Sequence, residues 1–290
     1  MAKKQSKTNL KNYAVFILTH KRPDKQHTLR ALEKAGYTGK IYLLCDTEDP
    51  TLKAYKRAYG DMVKTFDKKK YVDRFDLMTN DVKFNAVVYA RNAVYDVAKK
   101  LGLDYIVVMD DDYSVFYLNV DKTGFYKRSK ITDMNRVIRE HLRYLESANL
   151  ATLAFAQGGD FVGGWNGTIN KNNFRPLRKA MNVFFFKVSR PIQFNGTINE
   201  DSVMGVEEAM RGNVVLTNCL VQLEQTTTQQ AEGGLTDIYK DAGTYQKSFY
   251  TLLMSPSSTK VMYQHAVGRV HHFINGDLAY PKILSEELKK

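Results

Sequence analysis

A chain of 290 residues with 43% hydrophobic, 12% aromatic and 26% charged residues can bury one full-sized core, and it is too rich in aromatics to be largely disordered. Its longest apolar runs, Ala14 to Leu18, Tyr105 to Met109 and Val183 to Phe186, fall far short of the roughly 20 residues that span a bilayer, so no transmembrane helix is expected. Lys and Arg number 43 against 31 Asp and Glu, a formal charge of +12 gathered in Lys3 to Lys11, Lys64 to Lys70, Lys122 to Lys130 and Lys171 to Lys179; it favours nucleic acid, anionic membrane or phosphorylated small molecules as partners, with plain solubility as the alternative.

The basic stretch Met1 to Lys7 has no apolar segment behind it long enough for a secretory leader, which predicts a cytoplasmic protein with residues 1–11 as a basic tail. Tyr13 to Leu18 predicts a buried strand, Pro23 and Asp24 a helix start, Leu29 and Leu32 its apolar face, and Gly36 its stop. Lys40 to Cys45 predicts a second buried strand, completing a βαβ unit and beginning a parallel sheet. A short helix near Thr51 to Tyr59, a strand near Met62 to Phe66 and a long helix near Val82 to Leu101, stopped by Gly102, continue the alternation. Tyr105 to Met109 is the next buried strand. An amphipathic helix near Asp133 to Ser147, strands at Ala151 to Ala156 and Met181 to Val188, a helix near Ser202 to Arg211 and a strand at Asn213 to Leu223 follow. Gln157 to Asn173 and Gln225 to Thr236, rich in Gly, Asn and Thr, read as loops. Cys45 and Cys219 lack CxxC spacing and sit in apolar contexts, so buried free thiols are expected.

The strand Tyr105 to Met109 runs straight into Asp110-Asp111-Asp112, and open α/β sheets bind ligands beyond the carboxyl ends of their strands. Carboxylates about 5 Å apart at an effective dielectric of about 20 repel by roughly 3 kcal/mol per pair, so a cation is expected among them. Alternation puts Asp110 and Asp112 on one face and Asp111 on the other, a donor set suited to Mg²⁺ or Mn²⁺ with substrate phosphate oxygens. The competing reading is a solvated acidic turn with a helix starting at Asp112.

An Ala90-Arg91-Asn92 helix segment about 20 residues before a strand ending in an Asp-x-Asp cluster resembles the donor half of GT-A glycosyltransferases. The resemblance implies an α/β, Rossmann-like, mostly parallel sheet flanked by helices in a single catalytic domain, residues 12–115 binding the nucleotide sugar and 116–290 the acceptor. It implies that Arg91 and Asn92 face the nucleotide, that Asp110 approaches the ribose with Asp111 beside it, and that Asp112 holds the metal; an exposed helix arginine is the alternative for Arg91. Thr19-His20-Lys21-Arg22 falls where the family's nucleotide-contacting loop lies, and Asp46 where an acid meets the base. Physically, backbone N–H groups with Lys21 and Arg22 suit a diphosphate cradle. Asn199-Glu200-Asp201 resembles the xED motif of the same fold, which makes Asp201 the general base of an inverting reaction with Glu200 beside it; a helix cap is the alternative. Arg269-Val270-His271-His272 offers the fold's C-terminal histidine, with His265 a third candidate and His271 the favoured metal ligand beside Asp112 and Asp110. Gly158-Gly159-Asp160 and Gly163-Gly164-Trp165-Asn166 carry the only tryptophan of the chain on mobile glycines, a candidate acceptor-binding loop, or else ordinary core.

Taken together, THKRP, ARN before DDD, GGD with GGWN, NED, QTTTQQ with GG, and VHH are similar to the TET-associated glycosyltransferases of bacteriophages. That similarity implies a UDP-sugar donor, a Mn²⁺ or Mg²⁺ cofactor, a 5-hydroxymethylpyrimidine in DNA as acceptor, 5-hydroxymethylcytosine foremost, an infected host cytoplasm as the setting, and no membrane or obligate protein partner. A polysaccharide, lipid or protein acceptor, a catalytically silent DNA-binding module, and a two-metal nuclease or nucleotidyltransferase are the competing classes.

Overall fold

In the computed structural model the described residues are 10, 12–79, 87–120, 126–157, 180–225, 247–265, 268–280 and 283–288. Strands buried on both faces must be apolar throughout, and such runs form the centre of a set of four parallel strands whose edge member is part-exposed. They are β1 (Tyr13–Leu18), β2 (Ile41–Asp46), β3 (Val63–Phe66) and β4 (Tyr105–Asp110), in the spatial order β3-β2-β1-β4. Ala14 to Ile17 and Ile106 to Met109 are no more than 1% exposed. Alternation divides them between two cores. Phe16, Ile106 and Val108 pack under α3 (Val88–Lys100). Val15, Ile17, Val107 and Met109 pack on the opposite face with Leu32 of α1 (His27–Lys34), Tyr55 of α2 (Leu52–Tyr59), and Ile138 and Leu142 of α4 (Met134–Ser147).

The chain leaves α1 where the sequence placed its stop. Gly36 has φ +74°, and a Cβ there would lie 2.4 Å from the Thr132 carbonyl oxygen, so only glycine fits. At the start of α4, Asp133 caps the helix by accepting from the Arg136 amide at 3.0 Å.

Beyond β4 the sheet becomes mixed, in the order β4-β8-β7-β9-β5-β6, with β5 (Tyr113–Val120), β6 (Tyr126–Lys130), β7 (Thr152–Gln157), β8 (Asn182–Lys187) and β9 (Val215–Gln225). Strand β8 runs antiparallel to both β4 and β7, while β7 and β9 are parallel. The whole is an α/β architecture of nine strands flanked by helices on both faces. Strands β5 and β6, and the strand Thr259–Gln264 farther along the chain, were not anticipated, and no helix starts at Asp112. Tyr113 instead enters β5, which pairs with β9; the run Tyr113 to Val120 is rich in strand-favouring aromatic and aliphatic residues, and the acid turn before it masks that signal. Helix α5 (Glu200–Met210), a helical segment at residues 247–254 (α6), and a separate hairpin of β10 (Thr259–Gln264) and β11 (Arg269–Ile274) complete the part that bears on the site. Cys45 and Cys219 are buried and free. Among the described residues no helix is long and apolar enough to cross a membrane.

Candidate active site

Strand alternation sends the first two acids of the cluster in opposite directions. Asp110 continues the face of Ile106 and Val108, toward α3, and Asp111 continues the face of Val107 and Met109, toward α1 and α2. Asp111, 5% exposed, accepts from Thr19 Oγ1 at 2.7 Å and Arg22 Nη1 at 3.1 Å. Its carbonyl oxygen accepts the first amides of α1, His27 and Thr28, at 3.1 and 3.2 Å. Thr28 Oγ1 in turn donates to the Asp110 carbonyl at 2.5 Å and accepts from the Tyr113 amide at 2.9 Å. The acid turn is therefore riveted to α1 and to the loop after β1. Burial raises the Asp111 pKa, and Arg22 and Thr19 oppose it. Asp112 is pushed up to about 7, first by burial and then by the charges of Asp110 and Asp111.

On the other face lies the contact that organises the site. Arg91, 4% exposed, donates from Nε to Glu200 Oε1 at 2.9 Å and from Nη2 to both Asp110 oxygens at 3.2 and 3.3 Å. Its guanidinium carbon lies 5.0 Å from the Phe184 ring centroid and 5.8 Å from that of Phe194. One cation thus ties the end of β4 to the start of α5, over aromatic faces that suit a planar guanidinium. Glu200, 4% exposed, is pushed up to about 7 by burial, with Arg91 pulling the other way.

Asp201 occupies the first turn of α5, where the helix dipole favours a carboxylate, and its Oδ1 accepts from the Ser202 amide at 2.6 Å. Asn199, before the helix, adopts a left-handed φ of +58° that Asn tolerates better than most residues. Its Nδ2 donates to the Lys247 carbonyl at 2.7 Å and lies 3.1 Å from His272 Nδ1. The histidine turned inward is therefore His272, 4% exposed, whereas His271 is half-buried and His265 exposed. Burial lowers the Lys247 pKa against the opposing charges of Asp201 and Glu200.

Several expectations from the sequence meet a different arrangement. Arg91 is spent on two carboxylates, and Asn92 is pinned to the chain, its Nδ2 donating to the Val88 and Phe194 carbonyls at 2.9 Å and its Oδ1 accepting from the Phe194 amide at 3.0 Å. The loop after β1 offers side chains rather than a backbone cradle. The Thr19, Lys21 and Arg22 amides donate to the Leu44 carbonyl, Asp49 Oδ2 and Tyr55 Oη at 3.3, 2.8 and 2.9 Å. His20 Nδ1 lies 3.1 Å from the same Asp49 oxygen, and Lys21 holds a strained φ of +56° with its side chain exposed. Asp46 does stand at the end of β2, 5% exposed, with Lys68 Nζ at 2.6 Å. Among the described residues no group of three or more His, Cys, Asp or Glu could hold a metal, so His271 does not join Asp110 and Asp112 in a closed cage. Gly159, Asp160, Gly164, Trp165 and Asn166 lie outside the described residues.

Two organising residues escaped the sequence reading. Asp49, whose carboxylate is fully buried, gathers His20, Lys21 and Thr51; burial alone would raise its pKa, but those hydrogen bonds hold it below the usual carboxylate range. Tyr55 Oη joins Thr19 Oγ1 at 2.6 Å to the Arg22 amide. The signal for Asp49 was its place before Pro50 and a helix start, a turn position; Tyr55 looked like one more apolar helix residue.

Acids beyond the carboxyl end of a parallel strand, linked through Arg91 to a glutamate that opens a helix, form the candidate active site of this α/β fold. The profile of the TET-Associated Glycosyltransferase family matches residues 13–234, and the chain belongs to that family. No curated protein sequence matches it. Among solved structures, it is similar to a mycobacterial protein with 9% identity, TM-score 0.49, and coverage of 91% of this chain and 84% of that one. It is also similar to glucosyl-3-phosphoglycerate synthase from Mycobacterium tuberculosis in complex with Mg²⁺ and UDP, with 8% identity, TM-score 0.46, and coverage of 91% and 88%. A third is the mannosyltransferase PcManGT from Pyrobaculum calidifontis with GDP-Man and Mn²⁺, with 10% identity, TM-score 0.45, and coverage of 84% and 72%.

Proposed function

We propose that this glycosyltransferase moves a sugar from a UDP-sugar to the hydroxymethyl group of a 5-hydroxymethylpyrimidine in DNA, 5-hydroxymethylcytosine foremost, with inversion and with Mn²⁺ or Mg²⁺ as cofactor. The observation that carries this reading is Arg91, whose guanidinium holds Asp110 of the β4 cluster and Glu200, the neighbour of Asp201, and so brings the two motifs together.

The donor set fits a hard divalent cation. Such ions take one or two carboxylates and complete their shell with water and substrate phosphate oxygens, and Asp112 is pushed up to about 7 by burial and neighbouring charge that a cation would relieve. Asp110 and Asp112 are the residues to hold it; when bound it supplies charge stabilisation to the departing diphosphate. The Arg22 side chain, 3.1 Å from Asp111, stands beside the cluster to receive phosphate, and the exposed Lys21 precedes it in the same loop. Asp46 and Lys68 set an acceptor beside a donor, a pair that matches the N–H and carbonyl of uracil.

Asp201 accepts the proton of the hydroxymethyl group as that oxygen attacks the anomeric carbon. The bond from that carbon to the diphosphate oxygen breaks on the opposite side, which inverts the centre and releases UDP. Glu200 is held by Arg91 and acts through position. The +12 charge of the chain supports a polyanionic acceptor.

The test is to incubate the protein with Mn²⁺ and a panel of nucleotide sugars and measure nucleoside diphosphate release with and without hydroxymethylated DNA, then to digest the DNA and weigh its nucleosides. A mass gain of one sugar on 5-hydroxymethylcytosine is expected. UDP release that no hydroxymethylated DNA stimulates would overturn the acceptor.

A further inference from the structure

Asp110, Asp111 and Asp112 repel phosphates, so a nucleic-acid acceptor has to be neutralised elsewhere on the surface. Where α3 packs on the segment after β3, Lys70, Tyr71, Arg74, Asp96, Lys99 and Lys100 line a groove of about 420 Å³. Four cations there face one carboxylate of the lining, with a second beside it: Asp96 Oδ2 accepts from Tyr71 Oη at 2.7 Å and from Arg74 Nη1 at 2.8 Å, and Asp67 lies 3.9 Å from Lys70 Nζ, so the groove keeps an excess of positive charge. Arg74 lies over the Tyr71 ring, 4.8 Å from its centroid, so its planar fork is fixed while its remaining N–H groups stay available. The Lys70 and Arg74 side chains are 75% and 58% exposed, and Lys99 and Lys100 are exposed as well.

Basic residues at a helix C-terminus answer the helix dipole, which accounts for Lys99 and Lys100 in isolation. It does not account for Lys70 and Arg74, which reach the same groove from a different segment. A membrane-binding patch would add exposed apolar side chains, yet the one aromatic here, Tyr71, is 7% exposed. Fixed guanidinium, mobile ammoniums and a concave surface suit a row of phosphates.

We propose that this groove binds the phosphodiester backbone of duplex DNA and anchors the acceptor away from the acids, an inference that rests on the DNA reading above. Helix α3 carries Arg91 at the acid site and Lys99 and Lys100 at the groove. At 1.5 Å per residue the separation is about 13 Å along the helix, or about four base pairs at 3.4 Å each.

The test compares wild type with Lys70→Gln/Arg74→Gln/Lys99→Gln/Lys100→Gln and with Lys99→Glu/Lys100→Glu, whose exposed positions keep folding safe. Binding of a fluorescent duplex carrying one 5-hydroxymethylcytosine is titrated at several salt concentrations beside UDP-sugar hydrolysis. Each lost phosphate contact flattens the log–log salt slope by about 0.9, so the quadruple variant should flatten it by up to about 3.6, with at least tenfold weaker binding at low salt and unchanged hydrolysis. Equal slopes in wild type and variants overturn the groove and leave the DNA reading standing. No duplex binding by wild type overturns both. Flattened slopes without transfer of sugar to the duplex uphold the groove and overturn the acceptor.

Discussion

Replacing Arg91 by methionine keeps an unbranched apolar stem in place of the arginine stem and removes the guanidinium and its charge. Removing one partner of a buried ion pair costs about 3–5 kcal/mol, because the charge left behind has lost its compensation. Arg91 and Glu200 have side chains 5% and 6% exposed, so the full penalty applies to that pair, while Asp110 at 31% can be rehydrated. Glu200 has an escape, since burial already pushes its pKa up to about 7 and losing Arg91 pushes it higher. A carboxylate whose folded pKa exceeds its unfolded value of about 4.5 loses stability as pH rises through the folded pKa. The deficit of Arg91→Met should therefore be small near pH 5 and grow to about 3 kcal/mol at pH 9. In a protein of this size that lowers Tm by on the order of 10 °C. Adding Glu200→Gln removes the orphaned charge and should restore most of the loss, although activity stays low because Asp110 and α5 are no longer tied together. Calorimetry of both variants at pH 5, 7 and 9 makes the check. A deficit under about 1 kcal/mol, one that ignores pH, or a double variant no better than the single would refute the reasoning.

Asp112→Asn should abolish Mn²⁺-stimulated turnover, and at pH 8 it should raise the Tm of the metal-free protein, since the burial and repulsion that push Asp112 up to about 7 penalise its charged form; undiminished turnover at saturating Mn²⁺ refutes it. For Asp201→Asn, kcat should fall by roughly 10²- to 10⁴-fold with little change in donor affinity, and a variant that keeps its kcat while losing only Tm would make Asp201 a helix cap. His141, buried against Phe155 and Phe185 with Nδ1 at 2.7 Å from the Val137 carbonyl and Nε2 at 2.9 Å from Asn218 Nδ2, has its pKa pushed down to about 4 by burial. A histidine with a depressed pKa gives stability that is present above about 6.5 and lost as pH falls toward 4, so wild type should shed about 3 kcal/mol across that window and His141→Phe should shed that much less, measured by denaturant titration at pH 7 and pH 4.

The parallel half of the sheet was legible because a strand buried on both faces has to be apolar along its whole length. Tyr13 to Leu18 and Tyr105 to Met109 stand out against any helical period, and the glycines at positions 36 and 102 mark the turns the backbone demands. The acid cluster was legible for a related reason: three charges end an apolar run abruptly, and the end of a parallel strand is where a site belongs. Strand β6 was not, because an edge strand tolerates Lys127, Arg128 and Lys130 and carries a weak pattern, whereas β5 has a strand-like composition and was missed because it follows directly on the acid turn.

The motifs Ala90-Arg91-Asn92 and Asn199-Glu200-Asp201 were found from sequence, yet their partners were not. Periodicity reports which face of a helix is buried, and Arg91 at a buried position of α3 reads as an exception to that pattern rather than as part of it. What fixes its direction is long-range: Asp110 arrives from β4, Glu200 from a helix 109 positions away, and Phe184 and Phe194 from the strand and loop between them. A buried guanidinium persists only where counter-charges and aromatic faces converge, so a polar residue on an apolar helix face implies unseen partners even when their identity is hidden. The residue expected to contact a ligand instead ties Asp110 of β4 to Glu200 of α5, and under the function proposed above that tie is in place before a donor or an acceptor arrives.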